Sequence, residues 1–224
     1  CAYCSFISAS GSANRLIPAY LDALFGEIDA AGEAARRAGK TVRTVYIGGG
    51  TPTTLAPDQL KALLDRLHTA FDLAPGTEFT VEAGRPDTIT REKLEAIRDG
   101  GGNRISVNPQ TMSNLVLETI GRSHRAEDIR QAYALAREVR VGAINMDLIA
   151  GLPADTPAGF AATLDEVIGM DPENITVHTL ALKKGARLRQ ENVTLPSGED
   201  VARMLDFAWS ALRAAGYQPY YLYR

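Results

Sequence analysis

Cysteine is nearly absent from this chain. Two of its 224 residues are cysteine, Cys1 and Cys4 in the opening stretch CAYCSF, so no disulfide framework can hold the fold and a reducing, cytoplasmic setting is expected. Histidine is also scarce: His68, His124 and His178 are far apart in sequence, which leaves the cysteine pair without the closely spaced partners of a zinc site. No signal peptide and no run of 18 apolar residues is present, so no membrane span is expected. Nor does one sign of charge dominate. Lys and Arg number 24 against 27 Asp and Glu, a net charge of −3, so no global basic field exists to hold nucleic acid or an anionic membrane. Low-complexity tracts and repeats of 20 to 50 residues are missing too.

What is present is a pattern of alternation. Hydrophobic residues make up 45% of the chain, enough for a full core in one domain of the larger α/β kind. Five β-branched, apolar stretches read as strands: 41 to 50, 77 to 84, 103 to 108, 141 to 153 and 173 to 182. Between them apolar residues fall at helical spacing, as in Ile17, Leu21, Leu24 and Ile28, or Leu60, Leu64, Leu67 and Phe71. APDQL and SGEDV read as helix starts. Such alternation predicts a parallel sheet covered by helices, open or curled into a barrel, with its ligand site at the carboxyl ends of the strands. Residues 183 to 198 lack a regular pattern and are expected to form a loop or flap.

Polar residues collect where that site is expected. Gly48 to Thr51 follow the first strand and could present backbone N–H groups to a ligand, although the segment is neither a Walker loop nor a G-x-G-x-x-G fingerprint. Glu82, Gln110, Arg122 and Asp147 fall at or after later strands. Burying such groups is costly unless they are paired or ligand-bound, and the set suits a zwitterion: carboxylates for an amine and ribose hydroxyls, an arginine for a carboxylate. By itself the C-x-x-C pair fits half a zinc site, a redox pair, part of an iron–sulfur cluster or two unrelated thiols. His68 reads as a solvated helix residue, His124 as a loop residue, and the cations Lys183, Lys184, Arg187 and Arg189 as a solvated flap.

Taken together, CAYCSF, YIGGGTPTTL, VEAGRPDTIT, RISVNPQTMSNLVLETIGRSH and INMDLIAGLPADT resemble, in order, blocks of the radical S-adenosylmethionine (radical SAM) superfamily. More narrowly they resemble the oxygen-independent coproporphyrinogen III oxidase family, and most of all its HemZ-type branch, the coproporphyrinogen dehydrogenases. The resemblance implies a partial (β/α) barrel over residues 1–224, cut before the first cluster cysteine and missing a C-terminal region. It implies a 4Fe-4S cluster held by Cys1, Cys4 and a cysteine four residues upstream. It also implies SAM held at Tyr3, Gly49, Gly50, Thr51, Glu82, Gln110, Arg122, Asp147 and Ala181, with no catalytic residue assigned.

The activity implied is radical-initiated oxidative decarboxylation of coproporphyrinogen III, with a porphyrinogen or haem as ligand, a low-potential electron donor and a monomeric state. Phe6 departs from the pattern, because the oxidases carry a cysteine there and the related haem chaperones do not. A haem-trafficking role on the same scaffold is therefore the alternative expectation.

Overall fold

The computed structural model describes residues 1–4, 15–191 and 193–221; Phe6 lies outside them. Five strands, β1 Val42–Ile47, β2 Leu73–Glu82, β3 Arg104–Gln110, β4 Ala143–Ala150 and β5 Asn174–Thr179, pair in sequence order, all parallel, as a curled half-barrel. Helices α1 Ile17–Arg37, α2 Pro57–Ala70, α3 Arg91–Asp99, α5 Ala126–Val139, α6 Pro157–Gly169 and α8 Gly198–Ala214 accompany it. The short helices α4 Asn114–Thr119 and α7 Arg187–Gln190 lie in the connections after β3 and β5.

Side-chain alternation along each strand decides which face meets the helices. Phe79 and Val81 of β2, Ile105 and Val107 of β3, and Ile144, Met146 and Leu148 of β4 join one apolar core with Leu64, Leu94, Ile129 and Leu164 of the helices. Residues of the other parity line the concave face. There Asn145 Nδ2 donates to Ser106 Oγ at 3.2 Å and to Asp147 Oδ1 at 2.7 Å, while Thr176 Oγ1 donates to Asn145 Oδ1 at 3.0 Å. His178 shares the parity of Asn174 and Thr176, so it stands on this concave side of β5.

Helix starts follow local chemistry. Thr90, Ser113, Thr156 and Ser197 each accept a backbone N–H of the first turn of α3, α4, α6 and α8, satisfying donors a helix leaves free. Pro57 and Pro157 occupy first-turn positions where the missing N–H costs nothing.

All five expected strands are present within a few residues, apart from the early start of β2. The expected loop at 183 to 198 differs: it contains α7, one turn too short to show a periodic apolar face. Leu188 of α7 is buried, and its N–H donates to Ala2 O at 3.0 Å, so this stretch packs on the cysteine pair.

Candidate functional site

A cavity of about 460 Å³ opens at the carboxyl ends of β1, β2 and β3. It is lined by nine of the residues singled out from sequence: Cys1, Tyr3, Cys4, Gly49, Gly50, Thr51, Glu82, Gln110 and Arg122. The two others lie elsewhere. Asp147 stands on the concave face, where it accepts from Asn145, and Ala181 lines a second cavity beyond β5 with His178 and Leu180.

Strand register brings the first of these groups together. Ile47 pairs with Val81, so the turn leaving β1 comes level with Glu82 at the end of β2. Gly49 N donates to Glu82 Oε2 at 3.2 Å, and Tyr46 Oη donates to Glu82 Oε1 at 2.6 Å. Burial, and then the bond to Glu82, hold the Tyr46 hydroxyl well above the ordinary tyrosine range, so it remains a donor. Gly49 has φ of +110°, a conformation side chains disfavour. At Gly48 a Cβ would sit 2.5 Å from the Tyr46 ring and 3.0 Å from the Glu82 carboxyl carbon, so only glycine lets these groups meet.

Gln110 reaches the cavity through a bulge. Between Val107 and Gln110 the β3 to β4 register slips, adding one residue to β3 around Pro109, which has no N–H to give to a ladder. Gln110 takes φ of +68° and is buried. A non-glycine residue in that region needs support from its surroundings and is a mark of functional sites.

Arg122 ties three segments into one wall. Nη1 donates to Gly84 O at 2.9 Å and Asn108 O at 3.2 Å, and Nη2 donates to Tyr3 Oη at 3.1 Å. The cysteine turn is anchored in the same way: Ala2 N donates to Ile120 O at 2.8 Å, and Cys4 N reaches Cys1 O at 3.3 Å. Both thiols are half-buried on the cavity wall. Arg122 Nε and Asn108 Oδ1 are buried without a hydrogen-bond partner among the described residues, a costly state that a polar ligand would relieve.

Among the described residues no three His, Cys, Asp or Glu side chains converge as a metal centre. Cys1 and Cys4 fit as two thiolate ligands of a cluster, and the donors and acceptors beside them fit a polar molecule bound next to it.

Several lining residues carried no distinctive signal in the sequence: Thr54, Gly84, Arg85 and Thr88; Asn108, polar and just after the third strand, lines the cavity as its position leads one to expect. Behind Thr54 and Thr88, Lys93 Nζ donates to Thr53 O at 2.6 Å and Thr88 O at 3.1 Å, joining the β1 and β2 exit loops. A lysine in a helical pattern gives no hint of such a bond. His124 lies in a loop, as expected, but only 5% of it is exposed, and burial followed by the charge of Arg122 lowers its pKa to about 4. His68 remains exposed, bonded to Gly100 O at 3.0 Å. No described helix is long and apolar enough to cross a membrane.

Comparison with known proteins agrees with this geometry. The profile of the Radical SAM superfamily matches residues 1–167. The chain is 38% identical to the "oxygen-independent coproporphyrinogen-III oxidase-like protein HemZ" of Bacillus subtilis, over 100% of this chain and 46% of that protein. It is 32% identical to the heme chaperone HemW of the same organism, over 98% and 58% of the two chains. The solved coproporphyrinogen III oxidase HemN of Escherichia coli superposes with a TM-score of 0.86 at 30% identity, covering 97% of this chain and 50% of that one. The chain thus spans about half the length of these relatives. A cysteine pair on a strand-end cavity, the half-barrel and the matched profile lead to one conclusion: this chain belongs to the radical SAM superfamily, whose members use a 4Fe-4S cluster and SAM.

Proposed function

We propose that the chain is the radical SAM core domain of a longer coproporphyrinogen III dehydrogenase, acting in oxygen-independent porphyrin synthesis. The observation that carries this reading is the likeness to HemZ over the whole chain, joined to the TM-score of 0.86 with HemN. In this reading Cys1 and Cys4 hold two irons of the cluster, and an upstream cysteine holds a third. The chemistry that the bound group supplies is one-electron reductive cleavage of SAM to methionine and a 5′-deoxyadenosyl radical.

The chain's own residues bind and orient. Glu82, already polarised by Tyr46 and Gly49, accepts from the SAM ammonium, and Arg122 and Gln110 offer donors to its carboxylate. Backbone at Gly49, Gly50 and Thr51 meets the methionine end, Tyr3 the adenine, and Asp147 and Ala181 further parts of the ligand. In this reading the porphyrinogen would occupy the concave face, with a propionate side chain directed toward the cavity lined by Cys1, Cys4 and Glu82.

The test is anaerobic turnover. The intact protein, reconstituted and reduced, should consume SAM and convert coproporphyrinogen III to protoporphyrinogen IX with release of two carbon dioxide molecules. Unreacted substrate beside an intact, reducible cluster would overturn the proposal. That result would favour a second reading, haem trafficking, which the 32% identity to HemW supports; stable haem binding and transfer to an acceptor would then be the positive sign.

A further inference from the structure

Beside Cys1, next to the larger cavity and sharing Cys1, Arg85 and Arg122 with it, lies a small crevice. It holds about 10 Å³ and is bounded by Cys1, Arg85, Asp87, Gly121, Arg122, Ser123 and His124. That is room for at most one water. His124 is the one buried histidine of the three, and its Nε2 is enclosed with no hydrogen-bond partner among the described residues. Read as an N–H, that nitrogen lacks, among the described residues, the acceptor a buried donor requires.

The surroundings narrow what that acceptor is. Arg85 and Arg122 flank the crevice and Asp87 shares it without bonding Nε2, so a further acceptor carrying negative charge is favoured. Cys1 is the wall residue that belongs to the cysteine turn, and that turn is held against this loop by the bond from Ala2 N to Ile120 O. Gly121 begins the loop with φ of +69°, a backbone conformation that glycine adopts without strain. The loop from Gly121 to His124 is thus seated against Cys1 by its backbone, and His124 is the side chain it places there.

We infer that His124 is a positioning residue for the cluster held by Cys1, donating its Nε2–H into the crevice toward the sulfur at that ligand. This rests on the assignment of Cys1 as a cluster ligand. A hydrogen bond to cluster sulfur stabilises the more negative, reduced state and raises the reduction potential. The bond thereby eases delivery of the electron on which SAM cleavage depends, without His124 touching SAM or substrate.

The test uses the intact protein, reconstituted anaerobically, with His124→Leu removing the donor and His124→Gln restoring an N–H. Reduced-cluster electron paramagnetic resonance during a redox titration reads the potential, and pulsed spectra of ¹⁵N-histidine-labelled protein read any nitrogen coupled to the cluster. Expected are a weak ¹⁵N coupling in the wild type that His124→Leu abolishes, and a midpoint shifted negative in His124→Leu. At a poise where half the wild-type cluster is reduced, the reduced fraction in His124→Leu should fall at least threefold, and His124→Gln should recover most of it. Equal midpoints in all three proteins, or a wild-type cluster without histidine coupling, would overturn the inference. If His124→Leu assembles no cluster, the wild-type coupling and the His124→Gln midpoint decide. Failure of the wild type to assemble any 4Fe-4S cluster would instead overturn the ligand assignment, and this inference with it.

Discussion

The two ends of the sheet treat buried polar groups differently. Near the amino ends most polar groups are paired, with Thr80 Oγ1, level with Arg104, the buried exception among the described residues. Asn103 accepts from Phe79 N at 2.9 Å and donates to Thr77 O at 2.9 Å, welding β2 to the start of β3. Arg137 donates to Tyr133 Oη, Glu173 Oε1 and Asp171 O, and Glu173 Oε2 in turn accepts from Ile144 N at 2.8 Å. At the carboxyl ends Asn108, Arg122, His124 and Asp155 each keep a buried atom with no partner among the described residues. An unmet buried donor or acceptor costs about 1–3 kcal/mol, so the second end is held ready for a ligand at the expense of stability, and the first end carries the fold.

That contrast can be broken by substitutions that move binding and stability independently. The largest effect is expected for Cys4→Ala. Loss of a cluster thiolate should abolish the brown absorbance and iron content of the reconstituted protein while circular dichroism stays unchanged. Next comes Glu82→Gln: removing one charged acceptor of about 1.5–3 kcal/mol should weaken SAM binding about 10-fold to 100-fold by equilibrium dialysis, with the urea midpoint preserved. At the opposite end Asn103→Ala should do the reverse. Stranding the Phe79 N–H should cost about 1–3 kcal/mol in urea unfolding and leave SAM affinity unchanged.

The smallest effect concerns Asp155, whose pKa burial raises, only partly offset by the N–H of Thr156. A raised folded pKa makes the native state bind more protons than the unfolded one, so stability falls as pH climbs from the ordinary aspartate value of about 3.9 through the folded value. Asp155→Asn should therefore raise the urea midpoint at pH 7, and the gain should vanish below the unfolded pKa. A gain that persists in acid would point to packing instead.

Much of the fold could be read in advance because its signals are local. Five continuous apolar strands separated by helical spacing specify a parallel α/β sheet, and the ligand end follows from topology alone. Helix α7 and the β3 bulge escaped for local reasons too: one helical turn has no period, and an extra residue in a strand has no composition. Thr54, Thr88 and Lys93 escaped because a hydroxyl bonded within its own turn, or an ammonium bonded to the distant Thr53 carbonyl, looks in sequence like any solvated side chain. His124 escaped because its burial depends on Gly121, Arg122 and Cys1 closing around it.

Element order, the concave polar parity of the strands and the residue types at each strand end were settled by the sequence itself, because propensity and periodicity act over a few residues. Only tertiary structure decided that nine of the eleven expected site residues share one cavity while Asp147 and Ala181 stand outside it. The register of Ile47 on Val81 and the slip at Pro109 set those distances, and they depend on how strands far apart in the chain pair.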